Sequence, residues 1–286
     1  MFLCKDVDSL IVVNNKIVHA SLKNSEDSNN KLYQEILSSL TNSKKSHIYK
    51  SDRELSFDLT IRTYVLQASK DLLTSGMQFR VFRRAYCNPM FWIRTPMGGF
   101  RLRPGIRTSM GIYDIFRNGQ FYATECATAI IMVFYKALLD LLGYEIFDQL
   151  FDNGIYLYTW NYDPKLAILT SEVDRPAPGD VVYIKNPEVD PMTPEWQGEN
   201  TVSMGSNYYY GHGIGIRSLP EIIYHLNMHR YPFAMVSAFL TNLNTRIDSN
   251  EMAQYLKDHS KLIPVTTSEA SSAVITARIG DQTQIA

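Results

Sequence analysis

The feature that most constrains the fold is a nearly continuous apolar segment in the middle of the chain, CATAIIMVFYKALLDLLG, residues 126–143. Its length and the closing Gly143 predict a helix. A helix that is apolar nearly all round has to be buried on every side, which requires a large core. Its longest apolar run, residues 127–135, is far too short to span a bilayer. The segment therefore predicts the central helix of a soluble protein.

The composition is compatible with such a core. The chain has 286 residues, 45% of them apolar, enough for one large domain with extensions. The formal net charge of −1 disfavours whole-surface attraction to nucleic acid or to an anionic membrane. Three cysteines without a CxxC motif predict neither a disulfide framework nor a zinc site, and they suit a reducing compartment. Asp6 and Asp8 interrupt the first apolar run, so we expect no signal peptide and synthesis in the cytoplasm.

The chain divides into three predicted parts. Residues 1–50 alternate short apolar pieces with polar filler, which predicts an N-terminal arm with one helix near residues 31–40. Residues 51–258 begin with a long helix that ends near Gly76, and after the central helix they continue as short β-rich runs typical of an antiparallel sheet. Residues 259–286 predict a flexible C-terminal tail. Helices followed by strands indicate the α+β class.

The cysteine at the start of the central helix is the first candidate for chemistry. With Thr124 as the capping residue, Glu125 and Cys126 would occupy the first helical turn. Free N–H groups and the helix dipole lower the pKa of a thiol there below about 8.5, whereas the neighbouring carboxylate opposes a second negative charge. Such a thiol ionises best when a base accepts its proton. The alternative, a cysteine that only fills the core, is favoured by the local spacing.

Two residues further along the chain are candidate partners. Glu199 follows a glycine, precedes a strand and lies near Trp196, a large ring that could raise the pKa of a general base. Most glutamates in such a position are simply solvated. His212 lies between two glycines in a strand rich in tyrosine, where it could orient a catalytic partner or form a hydrogen bond in the core. The local pattern leaves both alternatives open for each residue.

Other motifs favour no cofactor. His225 and His229 have the spacing of metal ligands on a helix, but HLNMH lacks the glutamate of HExxH and a third ligand, so we predict no metal. The GHGIG stretch is not a dinucleotide fingerprint, because the third glycine is absent. Residues 72–113 contain seven arginines, interleaved with aromatics, and no acidic residue, a pattern that also allows a nucleic-acid-binding protein. The arginines are spread over several elements, which makes this alternative the weaker one: Arg80, Arg83, Arg84, Arg94, Arg101, Arg103 and Arg107.

A cysteine at a helix start, followed by strands carrying Glu199 and His212, resembles the papain-like cysteine peptidase core, in which the nucleophile helix packs on an antiparallel sheet. The motifs FYATECATAI, IKNPEVDP, WQGEN and GHGIGI, in this order and spacing, resemble the calcium-independent transglutaminases of endospore-forming bacteria. The resemblance extends to about residue 255 and includes the LYTWNY segment. It implies an N-terminal helical extension and a papain-like catalytic domain over residues 51–258.

The resemblance also implies an activity, that of a protein-glutamine gamma-glutamyltransferase. Such an enzyme forms ε-(γ-glutamyl)lysine cross-links between proteins, here spore coat proteins, through a thioester on Cys126 and with release of ammonia. Glu199 would be the principal base, Glu125 would share that role and recruit the lysine cation, and His212 would take the third position of the core. Backbone N–H groups at the helix start would bind the oxyanion. The resemblance implies no cofactor, no metal, no nucleic acid and a location at the spore coat.

The implied active site has to exclude water from its thioester, and in the family a passage lined by aromatic side chains does so. We expect this passage to contain Trp160, Trp196, Tyr208, Tyr209 and Tyr210. Two other functions stay open: a cysteine amidase or peptidase on the same core, and a non-catalytic coat or nucleic-acid-binding protein.

Overall fold

The computed structural model describes residues 11–18, 28–256, 276–279 and 282–285. Cys4 and most of the predicted tail lie outside these residues. Within them, no helix is both long and apolar enough to cross a membrane.

The described part of the chain forms helices and strands in mixed order. The helices are α1 (Ser28–Thr41), α2 (Asp52–Thr74), α3 (Thr108–Arg117), α4 (Cys126–Leu142), α5 (Tyr144–Leu150), α6 (Leu219–Asn227) and α7 (Ser249–Tyr255). The strands are β1 (Ile11–Val13), β2 (Lys16–Val18), β3 (His47–Tyr49), β4 (Gln78–Phe79), β5 (Trp92–Arg94), β6 (Phe100–Leu102), β7 (Ala123–Thr124), β8 (Tyr156–Leu157), β9 (Ile168–Glu172), β10 (Val181–Lys185), β11 (Gly198–Gly205), β12 (Tyr208–Gly211), β13 (Gly215–Ser218), β14 (Phe239–Ile247), β15 (Thr276–Ile279) and β16 (Gln282–Ile285).

The sheet that carries the predicted site residues has six strands in the order β13-β12-β11-β10-β14-β9. Every neighbouring pair is antiparallel, as the short β-rich runs of the sequence predicted. Helix α4 packs on β11, one of the inner strands, and on α2. A helix carrying the cysteine on an antiparallel sheet is the papain-like arrangement, so the predicted α+β class is confirmed.

Helix α4 is the centre of the core. Its residues from Cys126 to Leu139 are buried without interruption, and only Asp140 is exposed. The predicted burial on every side is therefore confirmed. Helix α2 covers one side of α4 with a stripe of buried residues spaced three and four apart, as expected of a helix with one apolar face. The stripe consists of Leu55, Leu59, Arg62, Leu66, Ser69 and Leu72 and their buried neighbours.

Several local expectations change in the structure. The predicted cap Thr124 is wrong, because Glu125 is the N-cap residue of α4. Helix α3 and strands β5 and β6, within and just after the arginine-rich segment, were not expected. The predicted N-terminal arm contains α1, but also β1 and β3, and Ile11 and Ile36 join the same apolar core as α4. In the predicted tail, β15 and β16 pair as an antiparallel hairpin; the three-part division and the flexibility of the tail stay predictions.

A buried ionic network ties α2 to the six-stranded sheet. The guanidinium of Arg62 lies 3.1 Å from Asp58 and 2.8 Å from Asp180, and all three side chains are almost fully buried. The Tyr49 hydroxyl donates to Asp58 over 2.7 Å, and Asp180 also accepts from the Ala177 N–H. Burial raises the pKa of Asp58, but the Arg62 charge and the Tyr49 hydrogen bond outweigh it and lower the pKa overall. The network is satisfied only while Arg62 is present.

We expect Arg62→Leu to lower the free energy of unfolding by about 3–5 kcal/mol, because two buried carboxylates lose their counter-charge. Urea unfolding of the full chain measures this loss. The loss should shrink as the pH falls, since protonation neutralises the stranded carboxylates. The matched control is Arg53→Leu on the exposed side of α2, expected to change stability by less than about 0.5 kcal/mol. Equal losses in the two variants would rule out a structural role for the network.

Candidate active site

Cys126 occupies the first position of α4 and faces a large cleft. Only 9% of the residue is accessible, and that part lines the cleft together with Glu125 and Ala127. Burial raises the pKa of the thiol well above its usual value, and the charges of Glu199 and Glu125 raise it further. The thiol is therefore protonated at neutral pH until a base takes its proton, in contrast to the lowered pKa that a helix start alone would produce.

Glu125 is held by the backbone of the helix it precedes. Its carboxylate accepts the N–H groups of Ala127 and Thr128, both over 2.7 Å, and also the Thr128 hydroxyl. These bonds satisfy two of the N–H groups that a helix start leaves free. The Thr128 hydroxyl is in turn bonded by the Thr159 N–H over 2.7 Å, which attaches the segment before Trp160 to the helix start. Glu125 is thus a capping residue as well as a charge beside the thiol.

Glu199 is completely buried on β11 and lacks hydrogen-bond partners of normal geometry on both carboxylate oxygens. Burial raises its pKa well above the usual carboxyl value, and the Glu125 charge adds to this. The nearby main-chain N–H of His212 acts in the opposite direction. The side chain lies against Gly211 of the neighbouring strand, where an added Cβ would come within 3.0 Å of its Cγ. Gly211 therefore leaves room for a carboxyl group that is free to accept a proton.

Asn200 and Tyr183 complete the surroundings of the thiol. The Asn200 side-chain amide donates to the Cys126 sulfur over 3.3 Å, an interaction that favours the thiolate. Tyr183 lies opposite Asn200 in the sheet and lines the same cleft. Burial, and then the charges of Cys126 and Glu199, raise its pKa to about 12, so its hydroxyl keeps its proton. This hydroxyl donates to the Gln197 carbonyl over 3.2 Å.

His212 is bonded to backbone rather than to the thiol. Its Nε2 lies 3.2 Å from the carbonyl oxygen of Gln78. Burial lowers its pKa to about 4, against the opposite effect of the Gln78 and Thr124 carbonyls, so the ring is neutral. Gln78 lies on β4 and Thr124 on β7, the strand that pairs with β4 and leads into α4. His212 is therefore placed to fix the approach to Cys126.

The cleft in front of Cys126 has a volume of about 1490 Å³. Trp160 and Trp196 line it, and the ring of Phe79 stacks on Trp196 at a centroid distance of 5.5 Å. The three predicted tyrosines do not line it. Tyr208 is half exposed on the surface, Tyr209 packs in a second apolar cluster, and Tyr210 is buried beside Glu199, whose charge raises its pKa after the larger effect of burial.

His225 on α6 and His229, two residues beyond the end of α6, pack against the Trp196 ring that lines this cleft. His229 stacks on Trp196 at 4.5 Å, and His225 meets the same ring edge-on at 4.8 Å. Both are half-buried. Within the described chain, no three His, Cys, Asp or Glu side chains are grouped to hold a metal ion.

The sequence and the fold are similar to those of known proteins. The family model described as protein-glutamine gamma-glutamyltransferase matches residues 10–256. The chain belongs to the protein-glutamine gamma-glutamyltransferase family. It is 44% identical over 276 residues to proteins of that name from Bacillus cereus (strain B4264) and Bacillus mycoides (strain KBAB4), covering 96% of this chain and all of each relative. It also matches the structure of a transglutaminase from Geobacillus stearothermophilus (without C-terminal extension), with a TM-score of 0.68 and 44% identity over 72% of this chain and 98% of that one.

The family fixes the activity at the level of reaction class. The chain is a transglutaminase, an acyltransferase that acts on protein glutamine and cross-links proteins bearing glutamine and lysine. The buried Cys126 at the head of α4 is consistent with the cysteine nucleophile that such a reaction uses.

Sequence reasoning did not single out three residues that line the cleft beside Cys126. Asn200 directly follows Glu199, but neighbouring residues of a strand point to opposite faces, so the pattern gave no reason to bring both to one thiol. Tyr183 and Phe79 had no motif of their own. Pairing of β10 with β11, and of β4 with β7, places them at the cleft.

Replacing Glu199 should change stability in a pH-dependent way. The raised pKa means that the folded protein binds the proton more tightly than the unfolded chain does. Stability is therefore lost as the pH rises from about 4.3, the unfolded value, through the raised folded value. Glu199→Gln removes this titration. As the pH rises from 4 to 8, we expect the thermal midpoint of the variant to increase relative to that of the wild type. A constant difference across this range would contradict the raised pKa.

Proposed function

We propose that Cys126 is the nucleophile and Glu199 the base of this transglutaminase. The unpartnered carboxylate of Glu199 carries the proposal, because it is buried, has a raised pKa and interacts electrostatically with the Cys126 thiol. A carboxylate whose pKa is raised toward that of a thiol exchanges a proton with it at little cost. Glu125 is less suited as the first base, since its oxygens are occupied by the helix cap.

In the first half-reaction, Glu199 accepts the thiol proton and the sulfur attacks the carboxamide carbon of a glutamine side chain. The N–H groups of Ala127 and Thr128 already bind Glu125, so they do not bind the oxyanion. The Asn200 side-chain amide, which lies 3.3 Å from the sulfur, and the Cys126 N–H are the donors that we assign to the tetrahedral intermediate. The proton on Glu199 then passes to the leaving nitrogen, ammonia departs, and the acyl group stays on the sulfur as a thioester.

In the second half-reaction, a lysine ε-amine enters and attacks the thioester. The lysine cation first loses one proton to the solvent, so that the neutral amine is the attacking group. Glu199 takes a second proton from the nitrogen as the C–N bond forms, the C–S bond breaks, and Glu199 passes this proton to the sulfur, which leaves an isopeptide bond. Water competes with lysine for the same carbonyl carbon, so the stacked rings of Phe79 and Trp196, with Trp160, serve to exclude it from the thioester. His212 positions the strands that enter α4 and takes no part in proton transfer.

The natural substrates are proposed to be spore coat proteins, with the enzyme acting at the spore coat during sporulation and without calcium. This proposal rests on the motif resemblance and on the Bacillus origin of the matching relatives.

Amine incorporation tests the central proposal. The full chain is incubated with a glutamine-bearing protein and a fluorescent primary amine, with and without a chelator, while released ammonia is measured. We expect the wild type to incorporate the amine in both conditions and Cys126→Ala to lose at least about a thousand-fold. Glu199→Gln should also lose activity, whereas Cys87→Ala, another free cysteine of the described chain, should keep it.

Two outcomes would count against the proposal. Ammonia release without amine incorporation would indicate an amidase on the same core. Incorporation that persists in Cys126→Ala would place the nucleophile elsewhere.

The charge of Glu125 is proposed to attract the lysine cation. Glu125→Gln keeps a carbonyl oxygen for the helix cap but removes the charge, so we expect the fold to survive and the KM for a cationic amine to rise roughly five-fold. Hydroxylamine is uncharged at neutral pH and serves as the matched acceptor, with an unchanged KM. Equal changes for both acceptors would show that Glu125 acts through the cap alone.

A further inference from the structure

Seven arginines of the segment that lacks acidic residues have different environments in the fold. Four serve the structure locally. Arg94 and Arg103 bond to backbone carbonyls, Arg101 lies over the Tyr156 ring, and Arg107 approaches Asp148. The other three, Arg80, Arg83 and Arg84, line the cleft that contains Cys126.

We call these three residues the arginine wall. Their side chains are exposed, and their charges take no part in the ion pairs that stabilise the described fold. None of them forms an ion pair with any carboxylate of the described residues. Arg80 donates to the neighbouring Phe79 carbonyl, and the guanidinium groups of Arg83 and Arg84 have no hydrogen bond within the part of the chain that the structure covers. Unpaired cations beside a thiol are available to a ligand.

The wall is held in place. Arg83 and Arg84 lie on a short 3₁₀ turn, and Arg94 donates to three carbonyls of this turn and its flank, those of Phe82, Arg83 and Ala85, at 3.0, 3.1 and 2.5 Å. The Arg80 N–H donates to the Thr124 carbonyl over 2.9 Å, which attaches the wall to the strand that leads into Cys126. The backbone that carries the three arginines is therefore fixed where they line the cleft.

We propose that the arginine wall selects glutamine-bearing segments with aspartate or glutamate beside the reactive glutamine. The inference rests on the proposed function, since it concerns the acyl donor of the same cleft. Carboxylates of the donor would pair with guanidinium groups that have no other partner. The donor stays attached through its thioester, so its acidic flank also neutralises the wall before the lysine cation enters. Without this neutralisation, the wall would repel the second substrate.

A nucleic acid is the less suitable occupant. The same cleft contains Glu125 and Glu195, whose charges oppose a string of phosphates. The three arginines also lie close together in the sequence, at residues 80–84, instead of following a groove long enough for several nucleotides.

The test uses peptides that contain one glutamine flanked on both sides by two glutamates, two serines or two arginines. Binding to full-length Cys126→Ala is measured by fluorescence anisotropy, so that no turnover is needed. At low salt we expect the acidic peptide to bind about five-fold more tightly than the serine peptide, and the arginine peptide to bind most weakly. This preference should fall to less than about two-fold at high salt.

Two double variants, both made in Cys126→Ala, test which arginines produce the preference for the acidic peptide. Arg83→Gln with Arg84→Gln should bring the acidic and serine peptides to within about two-fold of each other. Arg53→Gln with Arg217→Gln removes the same charge from exposed positions away from the cleft and should keep the five-fold preference. With Cys126 present, the first pair should raise the KM of the acidic peptide and leave kcat unchanged, because it removes binding energy common to ground and transition states.

The proposal is overturned if the wild-type cleft shows no acidic preference, or if the two double variants behave alike. It is also overturned if a single-stranded oligonucleotide binds more tightly than the acidic peptide and depends on the same arginines. Acidic-peptide binding without amine incorporation would refute the transferase mechanism and leave the selectivity of the cleft established.

Discussion

The whole arrangement depends on the burial of α4 from its first residue. A helix surrounded by core on all sides cannot leave its first N–H groups without partners, and Glu125 satisfies two of them with its carboxylate. The cap places a negative charge beside Cys126 and anchors Thr128, and through it the segment before Trp160. One structural requirement thus determines the position of Cys126, the negative charge beside it and the placement of the Thr159–Trp160 segment at the cleft.

The environment of the Glu199 side chain lowers the stability of the folded protein when the carboxyl group is ionised. A buried carboxyl group without normal hydrogen bonds is costly unless it is protonated, and its raised pKa reflects that cost. The contrast with Asp58 is informative, because there the buried carboxylate is paired with Arg62 and its pKa is lowered. The fold thus satisfies its structural carboxylates and leaves one unpaired at the site, where an unsatisfied oxygen can act as a base.

Charges of both signs line the cleft. Glu125 directly precedes Cys126, whereas the unpaired arginines lie on the exposed Phe82–Arg84 turn and just before it. Such an order suits an enzyme that takes two different substrates in succession, a neutral carboxamide that must reach the thiol and a cation that follows it. A glutamine donor with an acidic flank would neutralise the arginine wall between the two half-reactions, before the lysine cation enters.

The sequence by itself determined the central helix, α2, the antiparallel sheet and the short motifs around Cys126 and Glu199, because these depend on local periodicity and on residue type. The tertiary structure alone decided which side chains meet. In the structure, Glu125 and not Thr124 caps α4, and His212 bonds to a backbone carbonyl. Asn200 donates to the sulfur, and the cleft is not lined by Tyr208, Tyr209 or Tyr210. Contacts of this kind depend on strand register and on the packing of α4 against the sheet. These arise from pairing between segments far apart in the chain, about which local patterns carry no information.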